Sequence, residues 1–295
     1  MAATVTELID LLRVEQLETN LFRGISTDVG NIHVFGGQVL GQAVMAAAGT
    51  VQARVLHSLH AYFLRPGDKN ARIGYEVDRI RDGGSFTTRR VVASQHGQPI
   101  FHLAASFQTP EPGYEHQLPM PQVTPPEELP DENALRARYA DHIPQQWRAK
   151  LLRERPIEIR LLQPIDPIHP DVRPPHSSAW MRAREPLPDD PVLHQAMLAY
   201  ASDFLLLRTA LLPHGLSFFQ RGMQSASLDH AMWFHRPFRI DQWLLYTTDS
   251  PSASGARGFC RGTLHSRDGQ LVASVAQEGL VRVRGEAGKA ESKAD

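Results

Sequence analysis

Cysteine is almost missing from this sequence, since only Cys260 carries a thiol among 295 residues. One cysteine cannot form an intramolecular disulfide, and a zinc site built from several thiolates is excluded. The N-terminus has no basic segment followed by an apolar run, and no stretch approaches the roughly 18 apolar residues of a membrane-spanning helix. The sequence does not end in the Ser-Lys-Leu peroxisomal signal either. We therefore expect a cytoplasmic protein without membrane contact.

The sequence also lacks an excess of either charge, with 31 Lys and Arg against 32 Asp and Glu. A chain so balanced has no strong field to attract nucleic acid or another polyanion. It contains no phosphate-binding loop, no dinucleotide-binding glycine motif, no His-Glu-x-x-His and no Gly-x-Ser-x-Gly elbow. None of the 14 histidines forms a convincing ligand pair, because His230 and His235 would face opposite sides of a strand. We expect neither a metal nor a cofactor.

Proline is unevenly distributed, and 17 of the 22 prolines fall between Pro110 and Pro191. This stretch divides two proline-poor blocks, although it contains a predicted helix in "DENALRARYADHIPQQWRAKLL" and a predicted strand in "IEIRLL". The predicted organisation is an N-terminal unit over 1–112, a linker with a helix over 113–155 and a C-terminal unit over 156–284. The small, polar tail 285–295 is expected to be disordered.

The two blocks repeat each other. His60-Ala61 matches His230-Ala231, and five residues of the first block recur 172 positions later, namely Arg89, Ser94, Gly97, Gln98 and Ala104. Each block begins with an apolar segment of helical character, "GGQVLGQAVMAAAGTV" or "VLHQAMLAYASDFLLL", and continues with short alternating strands separated by turns. A buried helix wrapped by an antiparallel sheet is a hotdog unit. The sequence therefore predicts an α+β double hotdog, with the sheets continuous across the units.

Asp203 is a polar residue on an otherwise apolar helical stripe of the second block. It lies three residues after Tyr200 and four before Leu207, so on a continuous helix its carboxylate would face the core. Alternatively, Ser202-Asp203 breaks the segment, and Asp203 is an exposed N-cap of a following helix. The pattern leaves both interpretations open.

Two further polar residues stand at strand positions of the second block. Gln277 shares its parity with Leu271, Ala273 and Val275, so it points to the apolar face unless the strand emerges into solvent there. Ser227 precedes the repeated strand and is equally compatible with an ordinary turn residue. Asp229, the insertion that distinguishes the second copy, is interpreted as a support for the strand.

Several separated motifs together resemble the acyl-CoA thioesterase II family. They are "FGGQVLGQA", "SLHAYFLRPGD", "YEVDRIRDGGSFTTRRVVA", "SDF" followed by "PHG", "SLDHAMWFHRPF", "SASGARG" and "VASVAQEGLVR". The resemblance extends from about residue 10 to residue 284. It implies a double hotdog fold and hydrolysis of medium- to long-chain fatty acyl-CoA without a cofactor. Because each hotdog unit would expose a sheet edge, we also expect a homo-oligomer, a dimer or tetramer.

The resemblance also implies roles for particular residues. Asp203, Ser227 and Gln277 fall on the family's catalytic positions, and Ser227 stands where relatives often have threonine. The substrate-binding positions implied are Gly36, Gly37, Gln38, His57 and Arg257, and the N–H groups of Gly36, Gly37 and Gln38 are candidate oxyanion donors. Two other functions remain open at this stage, a hotdog enoyl-CoA hydratase and a non-catalytic acyl-CoA binding module.

Overall fold

A computed structural model of the chain describes residues 4–26, 33–138 and 152–284, together with residues 140, 145 and 148. The N-terminal unit contains helices α1 (Val5–Leu12) and α2 (Gly36–Ala48). Its strands are β1 (Glu15–Glu18), β2 (Leu21–Gly24), β3 (Val55–Phe63), β4 (Ile73–Asp82), β5 (Phe86–Gln95) and β6 (Gln98–Gln108).

The connecting region carries a 3₁₀ turn (Pro126–Glu128) and helix α3 (Glu132–Arg138). The C-terminal unit contains helix α4 (Pro191–Ser202) and a 3₁₀ segment (Leu207–His214). Its strands are β7 (Ile157–Leu161), β8 (His176–Ala183), β9 (Met223–Ser227), β10 (Asp229–Phe234), β11 (Leu244–Ser254), β12 (Arg257–Ser266) and β13 (Leu271–Val283). The predicted tail 285–295 and most of the predicted linker helix beyond α3 lie outside the described residues.

The strands form one antiparallel sheet in the order β1-β2-β4-β5-β6-β3-β10-β13-β12-β11-β8-β7, with β9 paired to β13. The two units meet where β3 pairs with β10, so the sheet is continuous between them. The predicted α+β double hotdog is confirmed. Its central seam is reciprocal, since His60 pairs with Ala231 and Ala61 pairs with His230, the pattern of a two-fold interface.

The seam corrects one detail of the sequence repeat. In the first unit His60 pairs with Ala104, and in the second Ala231 pairs with Ala276, so Ala231 and not His230 occupies the position of His60. The added Asp229 shifts the second strand by one residue, and such a shift moves each side chain to the other face of a sheet. His60 is accordingly exposed, whereas His230 is fully buried.

Helices α2 and α4 lie antiparallel against each other inside the sheet. The glycines of α2 allow this close approach, because a Cβ on Gly37 would lie 2.4 Å from the Tyr200 carbonyl oxygen and one on Gly41 would lie 2.9 Å from that of Ala196. Each helix therefore places its first turn beside the last turn of the other. The predicted second helix ends earlier than expected, at Ser202, before the 3₁₀ segment begins.

The stretch Pro191–His214 is apolar and long enough to resemble a membrane span, but 78% of its most apolar window is buried inside the protein. It packs against α2, the sheet and α1. Its apolar character therefore corresponds to a core position. Leu193, Met197 and Leu198, for example, are at most 2% exposed.

Candidate active site

Asp203 ends helix α4, where it occupies the C-cap position with φ −75° and ψ −11°. Its Oδ2 accepts a hydrogen bond from the Gly37 N–H at 3.0 Å, in the first turn of α2. The N-cap of α2 is Phe35, whose side chain makes no capping hydrogen bond, so the carboxylate of the other unit satisfies a donor of that turn. The N-cap interpretation of Asp203 is therefore wrong, since the following 3₁₀ segment begins after Leu206.

Ser227 and Gln277 reach the same carboxylate from two paired strands. Ser227 ends β9 opposite Gly279, and its Oγ lies 3.2 Å from Asp203 Oδ1. The Gln277 Nε2 lies 3.1 Å from Asp203 Oδ1 and 2.5 Å from Ser227 Oγ. Gln277 is fully buried, so its strand does not emerge into solvent there. The structure thus brings together the three residues predicted as catalytic, which we call the Asp203 cluster.

The donors of the cluster all point towards one anion. The carboxylate of Asp203 can only accept, so the Ser227 hydroxyl and the Gln277 amide donate to Oδ1 while the Gly37 N–H donates to Oδ2. Hydrogen bonds to a charged acceptor are shorter and stronger than neutral ones. The arrangement is suited to hold a carboxylate in one position while it accepts a proton.

An aromatic wall borders the carboxylate. The ring of Phe35 lies 5.3 Å from that of Tyr200, edge to face, and stacks on that of Phe204 at 5.1 Å. Phe63 lies beside Gly36, within 3.0 Å of the position a Cβ would take there. Burial raises the pKa of the Tyr200 hydroxyl, which keeps it neutral. The half-buried Asp203 therefore stands beside a cluster of aromatic side chains.

The structure places the other predicted binding residues at different distances from the cluster. Gly36 and Gly37 adjoin Asp203, but the Gln38 N–H donates to the Phe35 carbonyl and its side chain donates to Ile25 O. His57 hydrogen-bonds Ser106 at 2.8 Å within the N-terminal unit.

Arg257 begins β12 and pairs with Glu278 at 2.9 Å, next to Gln277 in the chain. Asp229 accepts from the Glu278 N–H at 2.6 Å, which is the supporting role expected of it. Within the described residues no three His, Cys, Asp or Glu side chains are grouped as metal ligands would be.

Sequence reasoning missed two residues behind the cluster. His230 lies 3.2 Å from Gln277 Oε1 through its Nδ1 and 3.0 Å from Ser202 Oγ through its Nε2. The available signal was the inserted Asp229, which places the neighbouring histidine on the buried face. Ser202, which precedes Asp203, gave no comparable signal, because a serine at that position is typical of a break in a helix.

Comparison with known proteins relates both units to one family. A family model described as Acyl-CoA thioesterase matches residues 149–280, and another described as Acyl-CoA thioesterase N-terminal domain matches residues 25–108. The "Acyl-CoA thioesterase 2" of Haemophilus influenzae is 43% identical over 283 residues, covering 96% of this chain and 99% of the relative. The chain belongs to the acyl-CoA thioesterase family. It is therefore a hydrolase of acyl-CoA thioesters.

Solved structures support the same assignment of the acyl-CoA thioesterase. An "Acyl-CoA thioesterase II TesB2" from Mycobacterium marinum is 42% identical, covers 94% of this chain and 98% of its own, and superposes with a TM-score of 0.75. A protein described as having a hot dog fold, from Alicyclobacillus acidocaldarius, is only 20% identical but covers 94% and 98% with a TM-score of 0.74. The second likeness shows the fold alone.

Proposed function

We propose that this acyl-CoA thioesterase hydrolyses medium- to long-chain fatty acyl-CoA by direct attack of water, with Asp203 as the general base. The observation that carries the proposal is the convergence of Asp203, Ser227 and Gln277 within hydrogen-bonding distance of one another. These residues come from the end of a helix and from two strands, so the fold brings together polar groups that lie far apart in the chain, and a buried amide is costly unless it has such partners. The aromatic wall beside them supports an alkyl substrate.

The reaction begins with a water molecule held against the thioester carbonyl, about 3 to 3.5 Å from its carbon. Asp203 removes one proton from the water as the oxygen bonds to that carbon. The carbonyl oxygen becomes an oxyanion, which then reforms the double bond while the carbon–sulfur bond breaks. CoA leaves as a thiolate and is protonated by solvent or by the proton that Asp203 holds. Thiolate is a good leaving group, so a covalent acyl-enzyme is not needed.

The first turn of α2 supplies a donor for the oxyanion. In this turn the Gln38 N–H donates to the Phe35 carbonyl and the Gly37 N–H donates to Asp203, so the Gly36 N–H is the candidate donor, and a glycine there permits a close approach. The Gly37 N–H already donates to Asp203, so the general base and the oxyanion would share one helix terminus. Ser227 and Gln277 hold the carboxylate of Asp203 and orient the water, because a hydroxyl or an amide can contact a carboxylate and a water oxygen at the same time.

Two measurements test the proposal. A panel from acetyl-CoA to palmitoyl-CoA, followed by thiol release, is expected to show the highest kcat/KM between the medium and long chains. Single-turnover hydrolysis in H₂¹⁸O is expected to place the label directly in the fatty acid, with none in the Asp203 peptide. Label in Asp203 would mean that its carboxylate attacked the thioester and formed an anhydride, which would overturn the role of general base.

A further inference from the structure

His230 is a fully buried histidine directly behind the Asp203 cluster. It lies on β10 with its ring between two polar partners, Gln277 Oε1 at 3.2 Å from Nδ1 and Ser202 Oγ at 3.0 Å from Nε2. The reaction proposed above, on which this inference rests, uses neither His230 nor Ser202. A buried imidazole with a polar partner on each ring nitrogen requires an explanation beyond packing.

The hydrogen-bond chemistry fixes which atoms carry protons. Asp203 can only accept, so the group of Gln277 that faces it must be the amide NH₂, and the carbonyl Oε1 must face His230. Oε1 can also only accept. The Nδ1 of His230 must therefore carry a proton and donate it to Gln277. This assignment follows from the chemistry of the partners and does not depend on seeing hydrogen atoms.

The other ring nitrogen is then an acceptor if the imidazole is neutral. Burial lowers the pKa of His230 below its ordinary value, against the opposing attraction of Asp203, the hydrogen bond that the ring donates to Gln277 and the nearby Asp229. The remaining partner, Ser202, is uncharged. Its hydroxyl has one proton and two acceptors within reach, the Ala199 carbonyl oxygen at 2.9 Å and the neutral Nε2 at 3.0 Å. The imidazole and the amide thus form one directional chain of hydrogen bonds that ends on Asp203.

The fold itself does not require this chain. In the N-terminal unit the paired positions that correspond to His230 and Gln277 are Leu59 and Ala105, which are both buried and apolar. In the first unit the seam is therefore packed without polar groups at these positions. Tyr246 holds the backbone of Ser202 in place, because its hydroxyl donates to the Ser202 carbonyl oxygen at 3.0 Å.

We propose that His230 is a positioning residue of the hydrolytic site, which holds the Gln277 amide so that its two N–H bonds point at Asp203 and Ser227. Removal of the Nδ1–H donor would leave a buried carbonyl oxygen without a partner, a costly state that the side chain relieves by rotating. The rotation withdraws an N–H donor from the cluster. The substrate does not contact His230, so the effect falls on kcat and leaves KM nearly unchanged.

A matched set of variants at one position separates the two hydrogen bonds of the ring. In His230→Asn the amide nitrogen takes the place of Nδ1 and can still donate to Gln277, whereas in His230→Gln the amide reaches the place of Nε2 and contacts Ser202 only. His230→Leu introduces the residue found at the equivalent position of the first unit. We expect His230→Gln and His230→Leu to lose roughly 10- to 100-fold in kcat, as is typical for residues that orient an active group, and His230→Asn to recover most of it.

A second measurement determines which ring nitrogen of His230 carries the proton, since the proposed role requires a proton on Nδ1. With ¹⁵N-labelled histidine, the wild-type protein is expected to show a neutral His230 protonated at Nδ1, a signal assigned by its loss in His230→Asn. A ring protonated at Nε2, or a folded His230→Leu enzyme with wild-type kcat, would overturn the proposal. Equal loss in His230→Asn and His230→Gln would do the same.

Asp203→Asn serves as the reference for the whole set. An inactive Asp203→Asn beside a fully active His230→Leu would refute only the role of His230. A fully active Asp203→Asn would refute the proposed site itself. If His230→Leu does not fold, the comparison of the Asn and Gln variants and the tautomer of the wild-type ring still decide the question.

Discussion

The first turns of the two central helices, α2 and α4, are capped in different ways. At one, the first turn of α2 lacks a side-chain cap and receives the Asp203 carboxylate from the other unit. At the other, Asp190 caps α4 within its own unit by accepting from Val192 and Leu193, and Pro191 has no N–H to offer. The antiparallel packing places the last turn of α2, which ends in Ala48, beside that closed terminus.

The strands show the same division. Gln277 of β13 corresponds to Ala105 of β6, so the second unit has an amide where the first has a methyl group. The fold is satisfied by either residue, because both positions are buried beside the seam. A fused pair of similar units can therefore keep two similar scaffolds while the buried side chains at corresponding positions diverge.

The chain that follows each helix enlarges the difference. In the second unit the 3₁₀ segment covers the sheet, where Leu207 and Ala210 pack so closely on Gly279 and Gly258 that a Cβ would lie 2.5 Å from them. In the first unit α2 is followed by a short connection, and a polar cavity of about 400 Å³ remains, lined in part by Thr50, Arg54, Arg79, Asp82 and Arg89.

The largest expected effect comes from removing the charge that distinguishes the two junctions. Asp203→Asn keeps the shape but cannot accept a proton, so we expect kcat to fall by at least about 100-fold with the fold intact. Thiol release with palmitoyl-CoA and circular dichroism measure the two properties. Asp190→Asn is the matched control at the other end of α4, where Asn is an equally good cap, and wild-type activity is expected. A similar loss in both variants would contradict the asymmetry.

A second change makes the sheet of the second unit resemble the first. Gln277→Ala introduces the residue of β6 and removes two donors from the Asp203 cluster. We expect kcat to fall by roughly 10- to 100-fold while acyl-CoA still binds, because the amide orients groups but accepts no proton. Binding is measured by thermal stabilisation with a non-hydrolysable acyl-CoA analogue. Gln270→Ala, on the exposed turn before β13, is the control, and unchanged kcat in Gln277→Ala would refute the role of the amide.

Sequence periodicity predicted most of the fold. The strand "RGFCRGTLHS" coincides with β12, and the first apolar segment coincides with α2 over its first 13 residues. These elements alternate or repeat without interruption, so local pattern is sufficient. Strand β11 extends beyond the predicted "WLLYTTDS" to Ser254 because its register shifts between Asp249 and Ser252, which accommodates Pro251.

The face of a side chain was harder to predict than the element that carries it. Matching the letters His60-Ala61 and His230-Ala231 aligned an exposed histidine with a buried one, because one inserted residue reverses the parity of a strand. Asp203 was equally ambiguous, since its position depends on where α4 ends. Both questions are decided by contacts between residues far apart in the chain, which no local pattern contains.

A third test changes the distance between the helices. In Gly37→Ala the new Cβ would lie 2.4 Å from the Tyr200 carbonyl oxygen and 2.6 Å from the Phe35 ring, so the helix ends must separate. We expect the free energy of unfolding to fall by about 1 to 3 kcal/mol, as for other overpacked sites, and kcat to fall several-fold because Gly37 moves away from Asp203. Urea unfolding and thiol release measure both. Gly84→Ala meets nothing within 4 Å and is the control; equal stability of the two variants would contradict the close packing.

The smallest expected effect is on the pH dependence of stability. The buried His230 of the second unit can titrate, whereas Leu59 at the corresponding position of the first unit cannot. Burial lowers the pKa of His230 in the folded protein. Below about pH 6.5 the unfolded chain therefore binds a proton at this histidine, whereas the folded chain binds it only at a lower pH. The stabilisation is present above that pH and is lost as the pH falls through the folded pKa. Urea unfolding between pH 8 and pH 5 should therefore show a smaller loss in His230→Asn than in the wild type. Part of the dependence will remain, because burial also lowers the pKa values of His57, His194, His235 and His265. Identical slopes would mean that His230 is protonated as readily in the folded chain as in the unfolded one.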